Sequence, residues 1–459
     1  MQDQEIIVEE QQNKYQDQSL FSITWPLFIE LALHLGMGIV ATLMLSQYSD
    51  EAVAGVGIAN QLLNIFILVF NVTSIGATVL ISQNLGAGKL QRARQLSYSV
   101  FGLNFWFGIC IAIFVFILGE PLLRLYDIHG AVFDYGLTFV RICALSLFFE
   151  SLSLALSAIL RSHGYTKESM MVTVYMNLIS IGGNVIATTG IFGLPVTGVT
   201  GVSWAIFAAR AYAVCALLYL LYNRLSLKIV IKDIFNAKKE DIRGLLEIGI
   251  PSAGENLSYQ LSQVVITSFV VGMGTASLAG RVYILNISML CFLFTVAIAQ
   301  GTQILVARYI GGKQFDRALK RGIRTLKIAM LASTLTSFVI ALGGDRILDL
   351  FTKDPAIILV GLPVLWAIVF VEPGRAMNIV LMNSLKSAGD VRFPVIIGII
   401  SMWGVAVSLS YLLGVHYGLG LLGIWLAQGA DEWLRGCFAL RRWLTKPWER
   451  RFTKAVIEQ

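Results

Sequence analysis

Charge is what this sequence has least of. Asp, Glu, Lys and Arg make up 14% of its 459 residues, against roughly 25% in a soluble globular protein, and so low a share excludes a soluble enzyme. Proline is sparse as well, with nine residues against 42 glycines, which leaves room for long uninterrupted helices. The five cysteines (Cys110, Cys143, Cys215, Cys291, Cys437) all lie in apolar runs without CxxC or Cys/His spacing. They read as packing residues, not as metal ligands or disulfides. Gly86-Ala87-Gly88-Lys89 lacks the first glycine of a phosphate loop and the Ser or Thr after its lysine, so ATP is not the expected energy source. A nucleophile elbow, HExxH and zinc-ligand clusters are also missing, and no cofactor is expected. The polar, acidic opening segment has no basic stretch followed by a short apolar core, so the first spanning helix itself is expected to direct insertion.

What the chain does have is apolar length. Hydrophobic residues reach 56%, and stretches able to cross a hydrocarbon core of roughly 30 Å as a helix recur from Ser19 to Leu440. Apolar runs and turn signals predict twelve spans, at 20–45, 53–82, 95–119, 133–160, 169–190, 199–222, 248–272, 277–306, 325–344, 357–385, 394–413 and 419–440. Of the Lys and Arg residues, 27 fall in the N-terminus, the even-numbered loops together with the first turn of the ninth span (Lys327) and the tail, whereas only Arg124, Arg346 and Lys353 occupy odd-numbered loops. This asymmetry predicts cytoplasmic termini and even loops, and it makes the net charge of +7 a topology signal with no implication of nucleic-acid binding.

The second half repeats the first at an offset of 225 residues. Pro26 meets Pro251, Glu30 meets Glu255, Ala54-Gly55 meet Ala279-Gly280, and Gly86 meets Gly311. Arg92-Ala93 meet Arg317-Ala318, and Leu160-Arg161-Ser162 with Gly164 meet Leu385-Lys386-Ser387 with Gly389. Six spans per half is an even number, so both halves enter the membrane in the same direction. That is the parallel-repeat plan of secondary transporters, with a substrate site expected between the halves. The expected organisation is a polar cytoplasmic N-terminus (1–18), a six-helix lobe (19–222), a cytoplasmic linker (223–247), partly an amphipathic helix at the interface, a second six-helix lobe (248–440) and a basic cytoplasmic tail (441–459).

A charge near mid-membrane costs about 2.5–3.5 kcal/mol on insertion scales, so ionisable residues inside spans point to function. They are Glu30, His34, Arg141, Glu150, Arg210, Glu255, Arg281, Glu372, Arg375, Asp431, Glu432 and Arg435. Glu30/His34 and Asp431/Arg435 are spaced i,i+4 and Glu372/Arg375 i,i+3, so each pair shares a helix face. Glu255, four residues after Pro251 and with no cation one turn away, reads as an uncompensated carboxylate suited to taking up and releasing a proton. Its repeat mate Glu30 is a second ion-coupling candidate and Glu372 a third. Arg375 is a candidate for gating or substrate contact, against the plainer reading of a helix-tying ion pair. Asn184, Asn286 and His34 are cavity candidates, although an Asn that links two helices is as common.

The residues resemble the MATE family, the multidrug and toxic compound extrusion transporters, over nearly the whole chain. The resemblance rests on Gly36-Met37-Gly38-Ile39-Val40 with Thr42, Gln83-Asn84-Leu85-Gly86-Ala87-Gly88, and Gly249-Ile250-Pro251-Ser252-Ala253. Glu372-Pro373-Gly374-Arg375 and Ser384-Leu385-Lys386-Ser387-Ala388-Gly389-Asp390 carry it further. It implies an all-α integral membrane protein of twelve transmembrane helices in two pseudo-symmetric six-helix bundles. By the same resemblance it is a monomeric antiporter of a bacterial inner membrane that expels small organic, often cationic, compounds in exchange for H+ or Na+. Family members often carry an aspartate where this chain has Ala41, and some carry one at Arg375, which shifts the expected coupling role to Glu255, Glu30 or Glu372. The rival reading is a lipid-linked saccharide flippase of the same broad superfamily, for which the in-span arginines Arg141, Arg210, Arg281 and Arg375 speak. A major-facilitator-type transporter would carry a charged loop signature after span 2 that is absent here.

Overall fold

The computed structural model describes residues 18–193, 195–227, 238–450 and 452. Residues 1–17, the middle of the expected linker (228–237) and the end of the expected tail (451 and 453–459) lie outside that description. Twelve long helices dominate the described residues, and no strand occurs among them. They are α1 (Leu20–Ser46), α2 (Asp50–Gly86), α3 (Leu90–Arg124), α4 (Gly130–Ser162), α5 (Thr166–Thr189) and α6 (Gly198–Leu225). Then follow α7 (Lys239–Val271), α8 (Thr275–Gly311), α9 (Phe315–Leu342), α10 (Pro355–Ser387), α11 (Arg392–His416) and α12 (Gly420–Leu444). A short amphipathic helix, Gly344–Phe351, lies between α9 and α10. Ten of the twelve are long and apolar enough to cross a membrane by composition alone; the other two, α7 and α12, carry charged residues along their length.

The helices begin where polar side chains satisfy free backbone donors. Ser19 accepts from the Ser22 amide at 3.1 Å, Ser49 from Ala52 at 3.3 Å and Asp354 from Ala356 at 2.9 Å. Several end on a residue in the left-handed region, which returns the chain sharply into the next helix. These turns obey the repeat. Gly164 (φ +86°) and Gly389 (φ +79°) close α4 and α10, and in each the next residue donates its amide to a carbonyl five back at 3.0 Å (Tyr165 to Leu160, Asp390 to Leu385). Between α2 and α3 the left-handed residue is Gly88; its mate between α8 and α9 is Lys313, held at φ +57°.

The chain divides into two compact units, Met1–Gly249 and Ile250–Gln459. In the first, α4 is the hub, packing on α2, α3 and α6, while α5 packs on α6 and α1. In the second, α10 takes the same part against α8, α9 and α12, while α11 packs on α12. The cores are apolar and fully buried: Phe70, Phe139 and Leu147 in the first unit, Ile284, Leu365 and Trp425 in the second. The helical frame of α7 starts at Lys239, nine residues ahead of the predicted span, because the charged residues 239–247 form its first turns. There Asp241 is buried, accepting from Ser99 Oγ at 2.7 Å and pairing with Arg92 at 2.5 Å.

Backbone approach seats that root of α7 on α2. A Cβ on Gly76 would lie 2.5 Å from the Leu245 carbonyl oxygen, and one on Gly249 2.0 Å from that of Val72. Gly57, on the same helix as Gly76, has nothing within 4 Å. Gly76→Ala is therefore expected to destabilise the protein by about 1–3 kcal/mol through overpacking. Gly57→Ala is expected to be neutral or stabilising by up to about 1 kcal/mol from helix propensity. Thermal unfolding of the two detergent-solubilised variants checks the contrast; equal midpoints would refute it.

Candidate functional site: sheltered ion pairs in each unit

Each unit carries an ion pair at the position that the repeat assigns. In the first, Glu30 of α1 faces Arg161 at the end of α4, at 3.5 Å. In the second, Glu255 of α7 accepts from Lys386 at the end of α10, at 2.7 Å. Both acids are repeat mates, as are both bases, and all four side chains are less than one-fifth exposed. The expectation of an uncompensated Glu255 is thus corrected. Helical spacing tests only neighbours one turn away, whereas its cation arrives 131 residues later on another helix. Glu30 likewise pairs with Arg161 and not with His34, which is exposed.

A second pair of positions is shared, with reversed sign. In the first unit Arg210 of α6 donates from Nε to Glu150 of α4 at 2.9 Å and from Nη1 to Ser146 Oγ at 2.7 Å. The mate of Glu150 at the 225-residue offset is Arg375 on α10. In the last helix the register shifts by three residues, because Gly198 (φ +55°) aligns with Gly420 (φ +56°). The close-packed Gly201 likewise aligns with Gly423. The mate of Arg210 is then Glu432, and Arg375 Nε does lie 3.7 Å from Glu432. The fourth and sixth helices of each unit are joined by acid and base at equivalent points, with the acid on opposite helices.

In the second unit this pair has grown into a cluster. Arg375 also donates to Glu372 at 2.7 Å. Arg435 lies 3.2 Å from Glu432 and 2.5 Å from Asp431. Ser401 of α11 donates to Asp431 at 2.5 Å, and Asn378 to Glu432 at 2.7 Å. Three carboxylates therefore face two guanidinium groups. Glu372, 1% exposed, keeps one oxygen, Oε2, with no hydrogen-bond partner.

Of the remaining sequence candidates, Asn184 on α5 is fully buried and neither atom of its amide has a partner. Asn286 on α8 is exposed and donates to the Val282 carbonyl of its own helix at 3.0 Å. Hydrogen bonds tie neither to the charged clusters. Sequence reasoning missed the role of Arg161 and Lys386, although both were visible as matched bases beside matched acids. It also missed Asn104 of α3, which accepts from Thr73 at 2.8 Å and Ser151 at 3.2 Å and so ties α2, α3 and α4 together; a lone Asn in an apolar run gives no pairing signal.

Long apolar helices in two repeats, with acids and bases sheltered in pairs, define an integral membrane protein built on the plan of secondary transporters. A family model, MatE, matches the chain twice, over residues 26–186 and 251–412. The chain belongs to the MatE family, a family of membrane transporters. The two matched stretches begin at the repeat-mated prolines, Pro26 and Pro251. An uncharacterized transporter of Bacillus subtilis, YisQ, is 44% identical over 430 residues, covering 94% of each chain. The probable multidrug resistance protein NorM of Thermotoga maritima is 25% identical, covering 94% of this chain and 93% of its own. Among solved structures, a MOP superfamily transporter from Pyrococcus furiosus shares the fold with a TM-score of 0.85 at 18% identity, over 96% of this chain and 98% of that one. A MATE structure in the bent conformation gives 0.86 at 17% identity, covering 97% of each.

Removing one member of a sheltered pair strands its partner at a cost of about 3–5 kcal/mol, whereas replacing both by apolar residues is often close to neutral. Glu150→Met is accordingly expected to lower the unfolding midpoint sharply, and Glu150→Met combined with Arg210→Met to recover most of the loss. A double variant no more stable than the single one would show that the pair is not the unit of stability.

Proposed function

We propose that the protein is a secondary active efflux transporter of the bacterial plasma membrane, exporting small organic compounds, cationic ones among them, in exchange for protons by alternating access. The Lys and Arg asymmetry of the loops supports cytoplasmic termini. The multidrug resistance proteins among its relatives support the substrate class. One observation carries the coupling. The α10–α12 cluster holds one acid more than it has bases, and the surplus falls where Glu372 Oε2 is buried without a partner. A proton on that oxygen neutralises the excess, whereas a buried unpaired charge is costly. Loading and unloading Glu372 is the proposed step that the gradient drives. Glu255 and Glu30, each held by a base, have the part of carboxylates released or re-paired as the helices around them move.

Ethidium transport in proteoliposomes with imposed gradients tests this reading. A pH gradient alone is expected to drive ethidium movement and a sodium gradient alone to leave it unchanged. Glu372→Gln, which fixes the neutral form, is expected to slow pH-driven exchange by tenfold or more, the scale of a lost proton-transfer group, with the protein still folded in the membrane. Transport driven by sodium alone, or an unaltered pH response in Glu372→Gln, would overturn it. Failure to move ethidium together with rescue of a lipid-carrier defect would favour the flippase.

A further inference from the structure

In the second unit Arg375 and Arg435 each face a carboxylate. Arg281 faces none. It sits on α8, 3% exposed, and donates from Nη2 to the side-chain oxygen of Gln263 on α7 at 2.9 Å. Its guanidinium carbon lies 5.5 Å from the centre of the Trp425 ring on α12. Nη1 is buried with no hydrogen-bond partner. Beside it Gln428, one turn beyond Trp425 and 7% exposed, donates to the same Gln263 oxygen at 3.5 Å.

Arginine stays charged in proteins, so this arrangement shelters a full positive charge attended by a neutral amide, an aromatic face and the phenol of Tyr259, with no carboxylate. A cation–π contact and one hydrogen bond to a neutral acceptor do not repay the several kcal/mol that such burial costs. Nor does the fold require the group. The repeat places Val56 at the equivalent of Arg281 and Gly38 at that of Gln263, while the register of the last helix gives Ser203 for Trp425 and Ile206 for Gln428. The first unit builds the same helices with none of these side chains. The four residues lie five to eight positions from the ends of their helices at the α7–α8 and α11–α12 turns, roughly 8–12 Å deep at 1.5 Å per residue.

We propose that Arg281, Gln263, Gln428 and Trp425 form a receiving site for the carboxylate of an amphiphilic organic anion carried by the protein. The free Nη1 and the amide of Gln428 supply two donors, which match the two oxygens of a carboxylate. The Trp425 face accepts the flat apolar body next to it, and the partly exposed Gln263 is the side of approach. This rests on the transport reading and extends its solutes from cations to anions.

The test is binding of 1-pyrenebutyrate against 1-pyrenebutanol, which share the ring and chain and differ in the carboxylate, by the purified full-length protein in detergent. The wild type is expected to prefer the acid by about tenfold or more, the scale of a charge-assisted hydrogen bond. Arg281→Gln is expected to erase that preference while pyrenebutanol affinity holds. Gln428→Leu, which keeps the cation, is expected to weaken the acid severalfold and serves if Arg281→Gln does not fold. A wild type that does not prefer the acid would overturn the proposal, as would a preference that survives both substitutions. Ethidium transport by the wild type, measured separately, reports on the transport reading, so the two ideas fail independently.

Discussion

A charge inside hydrocarbon survives only beside its opposite, and most of this protein's chemistry follows from that constraint. The chain has few charges within its spans, and the structure gives most of the sheltered ones a partner of opposite sign, in three pairs on a different helix. Glu30 meets Arg161, Glu255 meets Lys386 and Glu150 meets Arg210. Each pair joins helices that apolar packing alone would leave free to slide, since lipid tails and leucine side chains attract a helix about equally. The pairing does not balance at Glu372 or at Arg281, and Glu372 Oε2 and Arg281 Nη1 are among the buried polar atoms without a hydrogen-bond partner. Those two atoms are the ones to which the proposals above assign a proton and a solute.

Much of the architecture was legible in the sequence because the membrane imposes it. Apolar length gave the twelve helices, and polar and glycine identities gave the repeat that the paired turns at Gly164 and Gly389 reproduce in backbone geometry. What escaped is set by tertiary contact. The start of α7 at Lys239 runs through a charged stretch that reads as a linker, because the burial of Asp241 against Ser99 and Arg92 is invisible without the fold. The three-residue shift in the last helix hid the equivalence of Arg210 and Glu432 from an ungapped comparison.

The site was half legible for the same reason. Spacing rules found Glu372 with Arg375 and Asp431 with Arg435, which pair within one helix. They assigned Glu30 to His34 and left Glu255 alone, because a partner 131 residues away has no periodicity to betray it. The repeat held the missing signal. An acid duplicated at one point of the topology and a base duplicated at another are candidates for each other, and both copies make that pair here.

The sign reversal between Glu150 with Arg210 and Arg375 with Glu432 has a consequence for ancestry. Two copies of one gene cannot exchange the members of a sheltered pair one codon at a time without passing through a stage in which the pair is broken, by two like charges or by one charge left alone. The additional groups around the second pair, Glu372, Asp431 and Arg435, are of the kind that makes such a stage survivable, since each offers a temporary counter-charge. The crowding of that cluster is what such a route would leave behind in two bundles that differ in chemistry and share one backbone plan.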